Sequence, residues 1–225
     1  METMQQVTND IAHDLRTPLT RLRGRLEESR RRPRSTVEYE TTIDRSIADS
    51  ETMLDTFAAL LRIAQIEAGT DGPAGMPIDT AGLVEMTIEI YQPLAEERGQ
   101  TLTGIADAIR FCGDRELLIQ MLGNLVENAC RHTPRGTRIE VGARLQEGRV
   151  LLWVQDDGPG IPEAERERVF RRFYRLQASR TAPGNGLGLS LAAAIAARHG
   201  GRIRLAPATT APGAPGVRAE VLLPS

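Results

Sequence analysis

The stretch Val150-Leu151-Leu152-Trp153-Val154-Gln155-Asp156-Asp157-Gly158-Pro159-Gly160-Ile161-Pro162 joins two chemically different pieces. Its first five residues are apolar on consecutive positions, the pattern of an interior strand with helices packed on a face. The acid, glycine and proline run that follows is a turn signal, and Gly158 and Gly160 let the backbone bend tightly there. Further strand signals occur at Arg138-Ile139-Glu140-Val141 and at Val217-Arg218-Ala219-Glu220-Val221, the second with clean alternation. Helical patterns fall near 80–98, 114–132 and 187–199, and Ala206 to Gly216 reads as a loose hairpin connection. The second half of the chain is therefore a mixed domain of helices and strands.

Three polar motifs surround that turn. The first, Leu122-Gly123-Asn124-Leu125-Val126-Glu127-Asn128-Ala129-Cys130-Arg131-His132-Thr133-Pro134, places Asn124 and Asn128 four apart, so both amides leave one helix face. An amide oxygen is a hard ligand suited to Mg²⁺, although two helical asparagines also serve as polar surface or caps. The second, Val169-Phe170-Arg171-Arg172-Phe173-Tyr174-Arg175, is a basic amphipathic segment with two aromatic rings. The third, Gly184-Asn185-Gly186-Leu187-Gly188-Leu189-Ser190, precedes helix-compatible sequence, and glycines before a helix N-terminus make an anion site. That run lacks the preceding strand and later acid of a Rossmann fingerprint, and does not match the P-loop spacing.

The N-terminal part reads as a helical hairpin. Val7, Ile11, Leu15, Leu19, Leu22 and Leu26 form one stripe, and Ile43, Ile47, Leu54, Phe57, Leu61 and Ala64 a second. Arg30-Arg31-Arg32-Pro33-Arg34-Ser35 separates them as a solvated turn, with Pro33 as the stop. Helices of about 30 residues would be about 45 Å long, and two cannot bury such stripes alone. A dimeric four-helix bundle completes them. The Gly- and Pro-rich segment from Gly69 to Gly75 is a linker by composition.

His13 lies roughly 170° from the apolar stripe of its helix, on the exposed side. Thr17 projects one turn further along that side, and Asp14 is adjacent. Pro18 inside so periodic a helix costs about 3 kcal/mol and calls for a reason, such as a kink that loosens the helix beside His13. Neutral imidazole is available as a nucleophile near neutral pH, and an adjacent carboxylate is able to hold Nδ1–H and leave Nε2 open.

The segment Ile11-Ala12-His13-Asp14-Leu15-Arg16-Thr17-Pro18-Leu19 resembles the phosphoacceptor box of sensor histidine kinases. The four later segments, in order, resemble the ATP-binding domain shared by gyrase, chaperone, histidine kinase and MutL proteins. The resemblance spans about residues 5–223 and implies an α+β chain. Residues 1–68 would be a dimerisation and phosphotransfer hairpin and 69–76 a linker. Residues 77–225 would be an α/β sandwich of the GHKL (Bergerat) type. It implies His13 as phosphoacceptor, Asp14 orienting it, and Thr17 positioning water for dephosphorylation of the partner. It implies ATP contacts at Asn124, Asn128, Arg131, His132, Asp156, Gly158, Gly160, Phe170, Gly184, Gly186, Leu187 and Gly188. Within that set Asn128 binds Mg²⁺, Asp156 accepts from the adenine amino group, and Arg172 and Arg175 are the candidates for the phosphates. The implied partners are a second copy of the chain and the receiver domain of a response regulator, whose aspartate takes the phosphoryl group.

Two other classes compete. Gyrase- or chaperone-type ATPases use a glutamate to activate water where this chain has Asn124, and an amide cannot take that proton. A degenerate kinase acting as a scaffold would bind without transfer, yet the residues needed for chemistry are all in the sequence. The formal charge of -2 gives no basic field for nucleic acid. No apolar run is long enough to cross a bilayer and no signal-peptide core opens the chain, so a cytoplasmic location is expected. A membrane link would run only through segments upstream, as in a fragment of an inner-membrane kinase. Cys112 and Cys130 form no CxxC pair and read as inert thiols.

Overall fold

The computed structural model describes residues 19–20, 22–31, 35–69, 75–176, 185–208 and 216–225. The chain divides into two compact units, Met1–Gln65 and Ile66–Ser225. In the first unit, α1 is helical at 19–20 and 22–31, and α2 (Thr36–Ala68) returns. Ser35 starts α2 through a capping box: its Oγ accepts from the Glu38 N–H, and Glu38 Oε2 accepts from the Ser35 N–H. Between the helices, Arg25 donates to Asp49 at 2.5 Å and to the Arg45 carbonyl, while Ser29, Thr42 and Ser46 are buried. The apolar stripe Ile43, Ile47, Leu54, Phe57 and Leu61 is left exposed in the single chain, as are Leu19 and Leu26.

The second unit runs β1 (Met76–Asp79), α3 (Thr80–Glu97), β2 (Thr101–Ala106), β3 (Arg110–Gly113), α4 (Arg115–His132), β4 (Arg138–Gln146), β5 (Arg149–Asp156), α5 (Gly188–Arg198), β6 (Arg202–Pro207) and β7 (Val217–Pro224). Two 3₁₀ turns, Glu163–Glu165 and Arg168–Phe170, lie between β5 and α5. The main sheet has the order β2-β4-β5-β7-β6, with β2 parallel to β4 and the other pairs antiparallel. β1 and β3 make a separate antiparallel pair. Met76, the last residue of the expected 69–76 linker, opens β1; residues 70–74 of that linker lie outside the described residues.

β5 is central, and every residue after Arg149 is buried. On one side Val150, Leu152 and Val154 continue into Val141, Ile139, Ala219 and Val221 of the neighbouring strands, facing the helices. On the other side Trp153 covers the strand. Its ring lies over Gly142, where a Cβ would collide with it, and the Arg218 guanidinium sits 4.3 Å from its centre. Glu140 Oε1 accepts from Trp153 Nε1 and Gln155 Nε2, each at 3.0 Å. A polar layer thus closes the face that no helix among the described residues covers, which is why both faces of β5 are dry.

Candidate functional site

α4 and the turn after β5 form the walls of one pocket. Its polar lining is Asn128, His132, Thr133 and Asp156, with Pro159, Gly160 and Ile161 along the turn. Its apolar lining is Leu125, Ala129, Val154, Leu189, Leu205, Val217 and Ala219, a continuation of the layer between helices and sheet. α4 is fixed at both ends. At its start the Asp114 side chain accepts from the Leu117 N–H, and the Asp114 N–H donates to His199 Nε2 at 3.0 Å. Since Nε2 accepts there, the ring proton is on Nδ1 and donates to the Ile195 carbonyl at 2.8 Å. The end of α5 is thereby tied to the start of α4. At its other end Gln100 Nε2 donates to the Cys130 and Thr133 carbonyls and to Thr133 Oγ1.

The two adjacent acids divide their work. Asp157 turns outward, accepting from the Arg138 N–H at 2.7 Å and from Arg138 Nε at 3.0 Å, and so fastens the turn to the start of β4. Asp156 turns into the pocket, where it is only 7% exposed. Burial pushes its carboxyl above the usual range, opposed by the N–H groups of Gly158 and Val217. Gly158 is required by contact: a Cβ there would lie 2.5 Å from Thr133 Cγ2 and 2.9 Å from Asp156 Oδ1. Gly160 is required by conformation, with φ +79°.

Asn128 faces the pocket, and its amide makes no hydrogen bond among the described residues. Asn124 Nδ2 donates to the Gln120 carbonyl, while its Oδ1 lies beside Gly188, 3.6 Å from where a Cβ would stand at the first residue of α5. Gly186 has φ +70°, and its carbonyl accepts from the Phe173 N–H at 3.1 Å. The aromatic-basic segment is thus laced to the glycine loop, with Phe173 itself held at φ +61°. Leu187 is buried and anchors the loop in the core. Among the described residues of the aromatic-basic segment the deeply buried one is Val169, with Phe170 half-buried beside it.

Cations gather near the pocket mouth. Partial burial of the His132 ring, then the fields of Arg131 and Arg175, hold its pKa below the usual imidazole value. Arg131 lies 3.9 Å from Glu127. Arg172 is turned to Glu67, donating to both carboxylate oxygens. The structure therefore gathers Asn128, His132, Asp156 and Gly160 at one pocket, with Gly158 beneath it and Asn124 next to Gly188. His13, Asp14, Thr17 and Gly184 lie outside the described residues. Residues 113–225 match the family described as "Histidine kinase-, DNA gyrase B-, and HSP90-like ATPase", and residues 3–69 match the "His Kinase A (phospho-acceptor) domain".

The chain belongs to the sensor histidine kinases.

Among relatives of this histidine kinase, sensor protein IrlS of Burkholderia pseudomallei is 32% identical over 200 residues, covering 88% of this chain and 43% of IrlS. The histidine-protein kinase/phosphatase MprB of Mycobacterium sp. strain KMS is 33% identical over 232 residues, covering 99% of this chain and 44% of MprB. The chain thus spans less than half the length of these curated relatives. A solved structure of the histidine kinase ThkA in complex with response regulator protein TrrA aligns with a TM-score of 0.74, covering 97% of this chain and 61% of that one. At 21% identity it is a likeness of fold. The histidine kinase motifs were visible in the sequence, but the pocket's apolar walls and Thr133 were not, because nothing distinguishes them from core residues of the same helices and strands.

Proposed function

We propose that this histidine kinase chain uses ATP to phosphorylate His13 and passes the phosphoryl group to an aspartate on a response regulator receiver domain. The observation that carries the proposal is the convergence of Asn128 and Asp156 on one pocket, in a chain whose residues 3–69 match a phospho-acceptor domain. Asp156, held by its own turn, offers a carboxylate oxygen to the adenine amino group while the apolar walls take the ring. Asn128 is the residue that would hold Mg²⁺. Among the described residues no cluster of three or more His, Cys, Asp or Glu suits a metal. A single amide fits this ion, which takes most of its ligands from phosphates and water and supplies charge neutralisation there. The N-terminus of α5 beside Asn124 and the cations near His132 offer donors for the phosphates.

His13 attacks the γ-phosphorus through neutral Nε2 while Asp14 holds Nδ1–H. An N–P bond forms, the bond to the β,γ-bridging oxygen breaks, and ADP leaves with that electron pair. Phosphohistidine then donates to the regulator, a partner reading supported by the regulator bound to ThkA. Thr17 would position water for the reverse duty, a reading supported by the kinase/phosphatase description of MprB. The exposed stripe on α2 supports pairing of two chains into a four-helix bundle. ATP consumption places this region on the cytoplasmic side of an inner membrane, and no helix among the described residues is long and apolar enough to cross one. Asn124 donates to a backbone carbonyl and has no basic atom, which disfavours a hydrolysing conformational ATPase.

Incubation with γ-labelled ATP and Mg²⁺ tests the proposal against the His13→Gln variant. Acid-labile, alkali-stable label is expected in the intact chain and none in the variant. Equal labelling of both proteins removes His13 as acceptor. No label in either, with nucleotide still bound, removes the kinase reading in favour of a scaffold or phosphatase.

A further inference from the structure

Three features meet at the last turn of α2, within the second unit. Ile66 is buried, Glu67 takes Arg172, and Gly69 lies against the Arg198 guanidinium. Arg172 Nη2 donates to Glu67 Oε1 and Oε2 at 2.7 Å each, a contact joining residues 105 apart in sequence. Arg198 Nη1 is buried with no hydrogen-bond partner among the described residues, and a Cβ on Gly69 would overlap it. Arg198 ends α5, the helix opened by Gly188, and Arg172 immediately precedes Phe173, whose N–H is bound to the Gly186 carbonyl. Both arginines therefore connect the end of α2 to the glycine loop and the helix behind it.

Resting on the nucleotide-site reading above, we propose that Glu67 is a positioning residue for phosphoryl transfer: it holds Arg172 on the end of α2 until the triphosphate draws that guanidinium away. Nη2 directs its hydrogens to both Glu67 oxygens, so the guanidinium must leave that carboxylate to turn the same edge to a phosphate oxygen. A triphosphate carries more negative charge than a single carboxylate and is the stronger acceptor for a guanidinium. Since Phe173 is fastened to Gly186, the transfer of Arg172 also moves the loop ahead of α5. The end of α2 is thus sensitive to whether a γ-phosphate is present, with Glu67 as the sensing group. The side chains of Arg172 and Glu67 are 27% and 44% exposed, so the pair is screened and the bias it imposes is modest.

The test is a double-mutant cycle on the whole 225-residue chain, reading dissociation constants for a non-hydrolysable ATP analogue and for ADP. Glu67→Gln is expected to tighten the ATP analogue by about two- to fivefold, the range of an exposed ion pair, and to leave ADP unchanged. Arg172→Gln should weaken the ATP analogue, and in that background Glu67→Gln should have no effect. Glu67→Asp, which keeps the charge and shortens the reach, should fall between wild type and Glu67→Gln. A merely structural salt bridge would shift both nucleotides alike, and that result overturns the proposal. So does an unchanged ATP constant in Glu67→Gln, or an effect that persists without Arg172. If wild type binds neither nucleotide, the nucleotide-site reading itself is wrong and takes this one with it.

Discussion

Replacing Asp156 by Asn separates the work this residue does for binding from its cost to the fold. The amide has nearly the carboxylate's shape and keeps an oxygen at the position of Oδ1, which accepts from the Gly158 N–H at 3.0 Å. What disappears is the charge. A hydrogen bond to a charged group contributes about 1.5–3 kcal/mol, so nucleotide affinity should fall by about 10- to 150-fold. Stability of the free chain should move the other way. The folded-state pKa of Asp156 lies above its unperturbed 3.8 because burial disfavours the anion more than its two N–H donors favour it. The native state therefore holds this proton more tightly than the unfolded chain does. The associated stability is present below the unfolded value and is lost as pH rises through the folded one. Wild type bears that loss wherever its folded state is ionised, and Asp156→Asn bears none. The variant should melt at or above the wild-type temperature at pH 7.5, with the difference shrinking as the buffer approaches pH 4. Calorimetric titration with ATP and thermal melts across that pH range make the comparison. Affinity within twofold of wild type, or a variant several degrees less stable at pH 7.5, would refute this reasoning.

Gly158→Ala should behave differently. Its Cβ must displace Thr133 Cγ2 and Asp156 Oδ1, so about 1–3 kcal/mol of stability should be lost together with nucleotide affinity. A chemical-denaturation midpoint equal to wild type would mean that the turn relaxes freely. On the hairpin, Leu54→Glu combined with Phe57→Glu places two carboxylates in the exposed stripe of α2. Light scattering should then give the mass of one chain, while ADP binding by the second unit is retained; a persisting dimer would place the interface elsewhere.

The helices and the central strands were legible because each carries its period. The patterns near 80–98, 114–132 and 187–199 became Thr80–Glu97, Arg115–His132 and Gly188–Arg198, and the run at 150–154 became the middle strand of five. The strands that escaped notice lack such a pattern. β2 contains Gly104, whose missing Cβ admits Val84 and Ile88 of α3, so close helix packing removed the very side chain that would have signalled a strand. β1 and β3 have four residues each, and β6 carries only Ile203 and Leu205 as alternating apolar residues.

The same reasoning explains which parts of the site could be read. The pocket is the edge of the core: Leu125, Val154 and Ala219 would face one another there whether or not a ligand entered. Only where polar chemistry interrupts that layer does the sequence depart from core packing, at Asn128, at Asp156 and at the glycines that let the backbone pass. Between Asp156 and Asp157 only the family resemblance singled out Asp156, since residue type alone does not separate two adjacent acids. The choice is made by Arg138, which claims Asp157 from 19 residues away and leaves Asp156 to the pocket. Arg172 followed the same rule from a greater distance. The resemblance made it a candidate for the phosphates, and only the fold, by bringing the end of α2 to it, gives it Glu67 as a partner. Residue type declares what a side chain is able to bind, and the competition among partners brought near by the fold decides what it holds.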